Sequence, residues 1–247
     1  MIVGDNLLST KTGNWVNNWL YFVHSVIFPP TCVLCGGTGH KGPDICPACI
    51  NSLLRIKSPC PCCGMPLQAS ESSHCGSCLQ EPPPFQKTVS PYYYQPPLTQ
   101  LVTNFKFHHQ LKMARVLAAL LGQDLSQRPR PECIIPVPLH PKRLRERGYN
   151  QALEIARLLG RQLAIPVDYQ LCIRTRHTAP QTGLDAKLRK QNIRNAFAIK
   201  GECQYRHVAI LDDVITTGNT VSELAKLLRK NGVEEIEVWS IARAVPD

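Results

Sequence analysis

Two adjacent aspartates, Asp212 and Asp213, end an apolar run in HVAILDDVITTGNTVSEL. A turn of Thr216, Thr217, Gly218, Asn219 and Thr220 follows, and the residues after it have the apolar spacing of a helix. Backbone amides at a helix start point outward together, and the helix dipole is positive there. With hydroxyls alongside, the turn is suited to hold a phosphate. The carboxylates cannot share that phosphate, because like charges repel. They can accept hydrogen bonds from sugar hydroxyls or help hold Mg²⁺ through water. A ribose 5-phosphate answers both halves, with its phosphate on the turn and its 2′- and 3′-hydroxyls on the acids. Other phosphate loops do not fit. A Walker A loop needs Gly-Lys-Ser/Thr, and the turn has no lysine; a dinucleotide fingerprint needs GxGxxG, and Gly218 stands alone.

Cysteines carry the second chemistry. CVLCGGTGHKGPDICPAC holds Cys32-x-x-Cys35 and Cys46-x-x-Cys49, and CPCCGMPLQASESSHCGSC holds Cys60-x-x-Cys63 and Cys75-x-x-Cys78. A CxxC turn delivers two thiolates and zinc takes four, so these knuckles predict two structural zinc sites. Sequential pairing is simplest, and an interleaved pairing also fits the spacing. Cys62 could replace Cys60 at a shorter spacing, and His74 reads as a neighbour rather than a ligand. Glycines after Cys35, Cys63 and Cys75 let amides approach the sulfurs. A closed tetrathiolate leaves zinc no open position, which makes it a folding device and not a catalyst. Cys133 and Cys172 stand in apolar runs and read as core; Cys203, among polar residues, is assigned no role. A disulfide framework would need an export signal, and Asp5 and the lack of a small-residue cleavage site before Cys32 argue against one. The expected location is a reduced cytoplasm.

The third feature is positive charge. Of 28 Lys/Arg and 18 Asp/Glu, only 5 and 4 fall before Pro91, so the later part of the chain carries most of the formal charge of +10. That points to phosphate or nucleic acid as a partner. Lys142, Arg143, Arg145 and Arg147 crowd the stretch HPKRLRERGYN, read as a loop turned at Gly148. Repulsion within such a cluster is tolerable when a polyanion fills it.

The elements that must position these groups follow from periodicity. LTQLVTNFKF, LKMARVLAALLGQDL, YNQALEIARLLGRQL, GLDAKLRKQNIRN and NTVSELAKLLRKNG read as helices; ECIIPVPL, VDYQLCIRT, HVAIL and EIEVWSIARA read as strands. Alternation of this kind predicts an α/β domain with a parallel sheet and a ligand crevice beyond the strands' carboxyl ends. The expected organisation is an amphipathic N-terminal segment over 1–30, a double zinc ribbon over 31–80, a Pro-rich linker and edge strand over 81–97, and the α/β domain over 98–247. In the first segment Val16, Trp19, Val23, Val26 and Ile27 share a helical face. Asn17, Asn18 and His24 interrupt it, so it is too short and polar to span a bilayer, and membrane contact is peripheral at most. Tyr92, Tyr93 and Tyr94 read as an edge strand, with base stacking as the alternative.

VAILDDVITTGNT resembles the phosphoribosyl-diphosphate (PRPP) signature of type I phosphoribosyltransferases along its full length. The knuckles, then PPPF, FKF, PVPLHPKRLRERGYNQ and that signature, in this order, resemble the ComF/GntX family of bacterial competence and DNA-utilisation proteins. The resemblance runs from about Pro29 to the C-terminus. It implies a type I phosphoribosyltransferase-like parallel sheet preceded by a small Cys-rich double zinc ribbon. It implies PRPP or another ribose 5-phosphate compound as ligand, with magnesium. Asp212 and Asp213 would meet the ribose, Thr216 to Thr220 the 5′-phosphate, and Lys142, Arg143, Arg145, Arg147 and Lys106 the pyrophosphate or DNA. Gln181, Thr182, Arg189 and Asn192, between Arg174 and Arg194, would lie in a hood over the site. The implied role is in DNA uptake or utilisation, with single-stranded DNA or uptake proteins as partners. The alternative is a phosphoribosyltransferase of nucleotide salvage with a purely structural ribbon. No nucleobase pocket is identifiable in the sequence, and turnover is left open.

Overall fold

The computed structural model describes residues 31–38, 43–68, 73–107, 110–176 and 193–245. The N-terminal amphipathic segment lies outside the described residues, as do Gln181, Thr182, Arg189 and Asn192.

The ribbon is one unit written twice. In each copy the first knuckle is closed by a glycine amide: Gly36 N–H donates to the Cys32 carbonyl at 2.9 Å and Gly64 N–H to the Cys60 carbonyl at 2.8 Å. Both glycines are left-handed, with φ of +72° and +71°, a conformation that glycine adopts without steric cost. In each copy the second knuckle opens a single-turn helix, α1 (Pro47–Asn51) after Cys46 and α2 (Gly76–Gln80) after Cys75.

The main sheet has four parallel strands, β1 (Lys87–Val89), β3 (Cys133–Pro136), β6 (His207–Leu211) and β8 (Glu235–Trp239), in the order β1-β8-β6-β3. Of its two inner strands β6 is apolar from Val208 to Leu211, as a sheet covered on both faces requires, while β8 carries Glu235 and Glu237 toward its amino end. Helices α3 (Leu98–Phe107), α4 (Lys112–Leu125) and α6 (Gln151–Leu163) cover one face, packing Leu117, Leu121, Ile155 and Leu159 with Ile134, Leu211 and Trp239. Helix α7 (Asn219–Lys230) covers the other, where Leu224 and Leu228 meet Val208, Ile210 and Val238.

Three of these strands resume after a two-residue break. The strand β2 (Tyr92–Tyr93) continues β1, β7 (Val214–Ile215) continues β6, and β9 (Ala242–Arg243) continues β8; they form a second parallel sheet, β2-β9-β7. The breaks are Ser90-Pro91, Asp212-Asp213 and Ser240-Ile241, all at one level. They are tied to each other: the Ser240 hydroxyl donates to Ser90 Oγ at 2.8 Å, Asp212 N–H to the Trp239 carbonyl at 3.0 Å, and Ile241 N–H to the Asp213 carbonyl at 3.1 Å. The acid pair is therefore the point at which the central strand bends. The Pro-rich stretch adds an edge strand to each sheet. Tyr92 within it is 1% exposed, so its ring is packed and not offered to a base.

Two expectations differ. VDYQLCIRT touches the parallel sheet only at Val167, which bridges parallel to Ile134 of β3; beyond it β4 (Cys172–Arg174) pairs antiparallel with β5 (Phe197–Ile199), a strand the periodicity did not show. The physical reason is one-sided burial, since Cys172 is buried while Ile173 beside it is exposed. The basic stretch is not a loop but a short helix, α5 (Pro141–Arg147). His140 caps it by accepting from Lys142 N–H at 3.2 Å, Pro141 sits in its first turn, and Gly148 ends it at φ +75°. Among the described residues no helix is long and apolar enough to cross a membrane.

Candidate functional site

The cysteines pair sequentially. Sulfurs of Cys32, Cys35, Cys46 and Cys49 lie within 4.8 Å of one another, as do those of Cys60, Cys63, Cys75 and Cys78. Thiolates about 2.3 Å from a tetrahedral zinc stand roughly 3.8 Å apart; Cys35 and Cys46 are at 3.9 Å, and Cys63 and Cys75 at 3.5 Å. Amides support each set, with Cys46 N–H donating to Cys32 Sγ and Cys75 N–H to Cys60 Sγ, both at 3.4 Å. Cys62 and His74 stand outside both sets. The donors fit zinc, and four thiolates close its coordination shell. Cys133 and Cys172 are buried in the α/β core.

A third group, His207, Glu235 and Glu237, lies at the opposite, amino end of the strands. Lys87 Nζ already supplies a cation there, 3.6 Å from Glu235 and 4.0 Å from Glu237.

Beyond the carboxyl ends of β3 and β6 opens a cleft of about 340 Å³. The bend in the central strand places both acids on its floor. Asp213 is buried; its Oδ2 lies 2.8 Å from Lys106 Nζ, and its Oδ1 accepts from Val214 N–H at 2.7 Å. Burial favours the neutral amine of Lys106, but the charge and hydrogen bond of Asp213, joined by Asp212 and Tyr94, together hold the pKa above the ordinary value. Asp212 is pushed up to about 7, first by burial and then by the charge of Asp213, against the pull of Lys106 and Arg174.

The turn from Thr216 to Thr220 lines the same cleft. Gly218, at φ +79°, is the N-cap of α7, and its left-handed conformation lets the chain enter the helix. Beneath the turn, buried Arg243 donates through Nη1 to the carbonyls of Ile215 (3.1 Å), Ala244 (3.0 Å) and Thr216. Sequence reasoning missed Arg243, although a lone arginine inside the apolar strand EIEVWSIARA was a visible signal.

The basic cluster divides. Arg143 and Arg147, four residues apart on α5, share a helix face and line the cleft. Lys142 and Arg145 are exposed and do not line it. Arg147 donates to Gln151 Oε1 at 3.0 Å and lies over the Phe107 ring at 5.6 Å. Arg174, on β4, joins them. Burial lowers the pKa of Arg147 and of Arg174, and the Arg143 charge lowers both further. Three guanidiniums thus crowd one space, the potential an anion would relieve. Tyr94, the last of the tyrosine run for which base stacking is the alternative reading, and Phe107 also line the cleft as an aromatic wall.

A larger groove, about 690 Å³, runs along α7 beside Arg194, Lys226, Arg229 and Lys230. It holds neither acid. Two of its cations are engaged, Lys226 with Glu223 at 2.8 Å and Arg229 with the Pro84 carbonyl at 2.7 Å. The smaller cleft is where the chemistry converges.

Residues 23–79 match the family described as a double zinc ribbon domain. Competence protein F of Haemophilus influenzae is 44% identical over 223 residues, covering 86% of this chain and 96% of that protein. DNA utilization protein YhgH of Escherichia coli K12 is 39% identical over 226 residues, covering 88% and 98%. Among solved structures, adenine phosphoribosyltransferase of Leishmania tarentolae aligns over 57% of this chain and 74% of its own at 13% identity, with a TM-score of 0.36.

Proposed function

We propose, on the premise that this chain belongs to the ComF/GntX family of competence and DNA-utilisation proteins, that its cleft binds PRPP or a related ribose 5-phosphate compound in the service of DNA uptake or utilisation. One observation carries the reading. An acid pair and a helix-capping Thr/Gly turn share a cleft with three guanidiniums, of which Arg143 repels both Arg147 and Arg174. The ligand would bring both kinds of group required: neutral hydroxyls to donate to the acids and anionic phosphates at two places. The 5′-phosphate sits on the Thr216–Thr220 turn, where amides and hydroxyls donate and the dipole of α7 is positive. The diphosphate lies toward Arg143, Arg147 and Arg174. Asp212 and Asp213 accept from the ribose 2′- and 3′-hydroxyls, with Lys106 orienting Asp213 through their ion pair. Asp212 and Asp213 would help hold magnesium through water, and the ion would supply positive charge against that of the phosphates.

The zinc ribbon of residues 31–80 is structural in this reading. Single-stranded DNA or an uptake protein is the macromolecular partner, and the outward cations Lys142 and Arg145 are its contact. Titration calorimetry with PRPP and Mg²⁺ tests the ligand. Uptake by the zinc-loaded chain is expected; its absence, or its persistence in Asp212→Asn/Asp213→Asn, sinks the proposal.

A second reading, phosphoribosyl transfer to a base, is favoured by Tyr94 and Phe107, the latter 62% exposed. A flat ring could stack there beside the ribose carbon. Pyrophosphate release from PRPP with a panel of bases decides it: release with any one supports transfer, and none with all leaves a binding protein.

A further inference from the structure

We infer that the second zinc site, Cys60, Cys63, Cys75 and Cys78, governs the phosphate turn through Arg243: filled, it keeps the turn in shape, and emptied, it lets the turn loosen. The ligand named for that turn rests on the function proposed above; the coupling itself does not.

Arg243 lies between the two. Its Nε donates to the carbonyl of the zinc ligand Cys63 at 3.0 Å, while its Nη1 donates to carbonyls at Ile215 and Thr216, the entry to the turn. One side chain therefore joins the knuckle to the turn. It is 6% exposed, and a buried guanidinium needs its N–H donors satisfied and its charge balanced. Among the described residues no carboxylate forms an ion pair with it. The acceptors are carbonyls, and the nearby negative groups are the sulfurs of Cys63, Cys75 and Cys78, close enough to act on it electrostatically. A tetrathiolate zinc centre is a dianion, so the filled site supplies the missing counter-charge.

The knuckle also docks on the sheet by a second route. Thr88 N–H donates to the Pro61 carbonyl at 2.8 Å, and the Thr88 hydroxyl donates to the Cys62 carbonyl. Zinc holds the knuckle's shape, the docked knuckle positions Arg243, and Arg243 ties down the turn. The first zinc site has no such link: among the described residues no hydrogen bond joins Cys32, Cys35, Cys46 or Cys49 to the turn. This asymmetry between two copies of one unit is what makes the inference testable.

The experiment is amide hydrogen exchange over residues 214–219 of the full-length, ligand-free chain, with zinc counted in parallel. Cys75→Ser should retain one zinc and exchange about tenfold faster in the turn, the loss expected of hydrogen bonds to a charged group. Cys35→Ser should also lose one zinc, yet leave the turn as protected as in the unaltered chain. Arg243→Met should keep both zincs and loosen the turn as Cys75→Ser does. Equal loosening by Cys35→Ser and Cys75→Ser, or none by Cys75→Ser, overturns the inference. If Arg243→Met loses protection throughout β6 and β8, the cysteine pair still decides. Should the chain show this coupling but fail to take up PRPP, the ligand assignment falls and the coupling stands.

Discussion

Lys106 Nζ lies 2.8 Å from Asp213 Oδ2, whereas Asp212 makes no ion pair within 4.0 Å among the described residues. Two adjacent acids of the same type are thereby made unequal. Asp213 enters the cleft as an oriented, neutralised carboxylate. Asp212 is left to burial and to its neighbour's charge, which raise it to about 7. Both the ligand chemistry and the stability of the site follow from this difference.

Because Asp212 titrates near neutrality, affinity for magnesium-PRPP should rise with pH through about 7, as the group becomes the carboxylate that accepts from a hydroxyl. The free protein responds in the opposite sense. A carboxyl whose folded pKa is raised from about 4 to about 7 holds a proton that the unfolded chain has lost, so stability falls as pH rises across that window. Asp212→Asn should flatten both profiles. Calorimetry and denaturant melts from pH 5 to 8, on the order of one point per half unit, check this.

Asp213→Asn removes the partner of a largely buried ammonium. The expected loss is roughly 3 kcal/mol, read from urea unfolding of zinc-loaded protein. Lys106→Met combined with Asp213→Asn should recover most of it, because no charge is then left alone. A double variant as unstable as Asp213→Asn would mean that Lys106 is not the group being paired.

Arg143 and Arg145 are two residues apart and should behave differently. Arg143→Ala should weaken PRPP binding by about tenfold, the scale of one lost charge-assisted hydrogen bond, and leave single-stranded DNA binding nearly unchanged. Arg145→Ala should do the reverse and reduce the salt dependence of DNA binding. Fluorescence anisotropy at several salt concentrations, beside calorimetry, separates the two surfaces.

Gly64 ends the third knuckle at φ +71°, and a Cβ there would stand 2.9 Å from Thr88 Cγ2. Gly64→Ala should therefore cost about 1–3 kcal/mol from backbone strain alone, with added cost from displacing Thr88. Gly36, its counterpart in the first copy, has open space around the same atom and only the strained φ. Thermal melts of the two variants should rank Gly64→Ala as the less stable; equal midpoints would remove Thr88 from the account.

Much of the site was legible because its parts are local. A CxxC turn places two thiolates with no help from elsewhere in the chain. An apolar strand, two acids and a Thr/Gly turn before a helix form a cradle from consecutive residues. The basic stretch was legible as charge but not as shape: His140, Pro141 and Gly148 cap a helix that the density of cations obscured. Strand β4 misled because an apolar run of that length suits a sheet centre and a half-exposed ribbon equally well.

By itself, then, the sequence determined which groups stand together along the chain: eight cysteine sulfurs in four knuckles, an acid pair and a Thr/Gly turn after Leu211, and positive charge concentrated after Pro91. The tertiary structure decided how those atoms are shared out. It paired the knuckles in order, turned Arg143 and Arg147 inward and Lys142 and Arg145 outward, gave Lys106 to Asp213 while Asp212 has no ion pair among the described residues, and ran Arg243 from Cys63 to the Thr216–Thr220 turn. Spacing along a chain governs contacts within a turn. Helix phase, strand order and burial govern which distant groups meet, and only the assembled fold contains those.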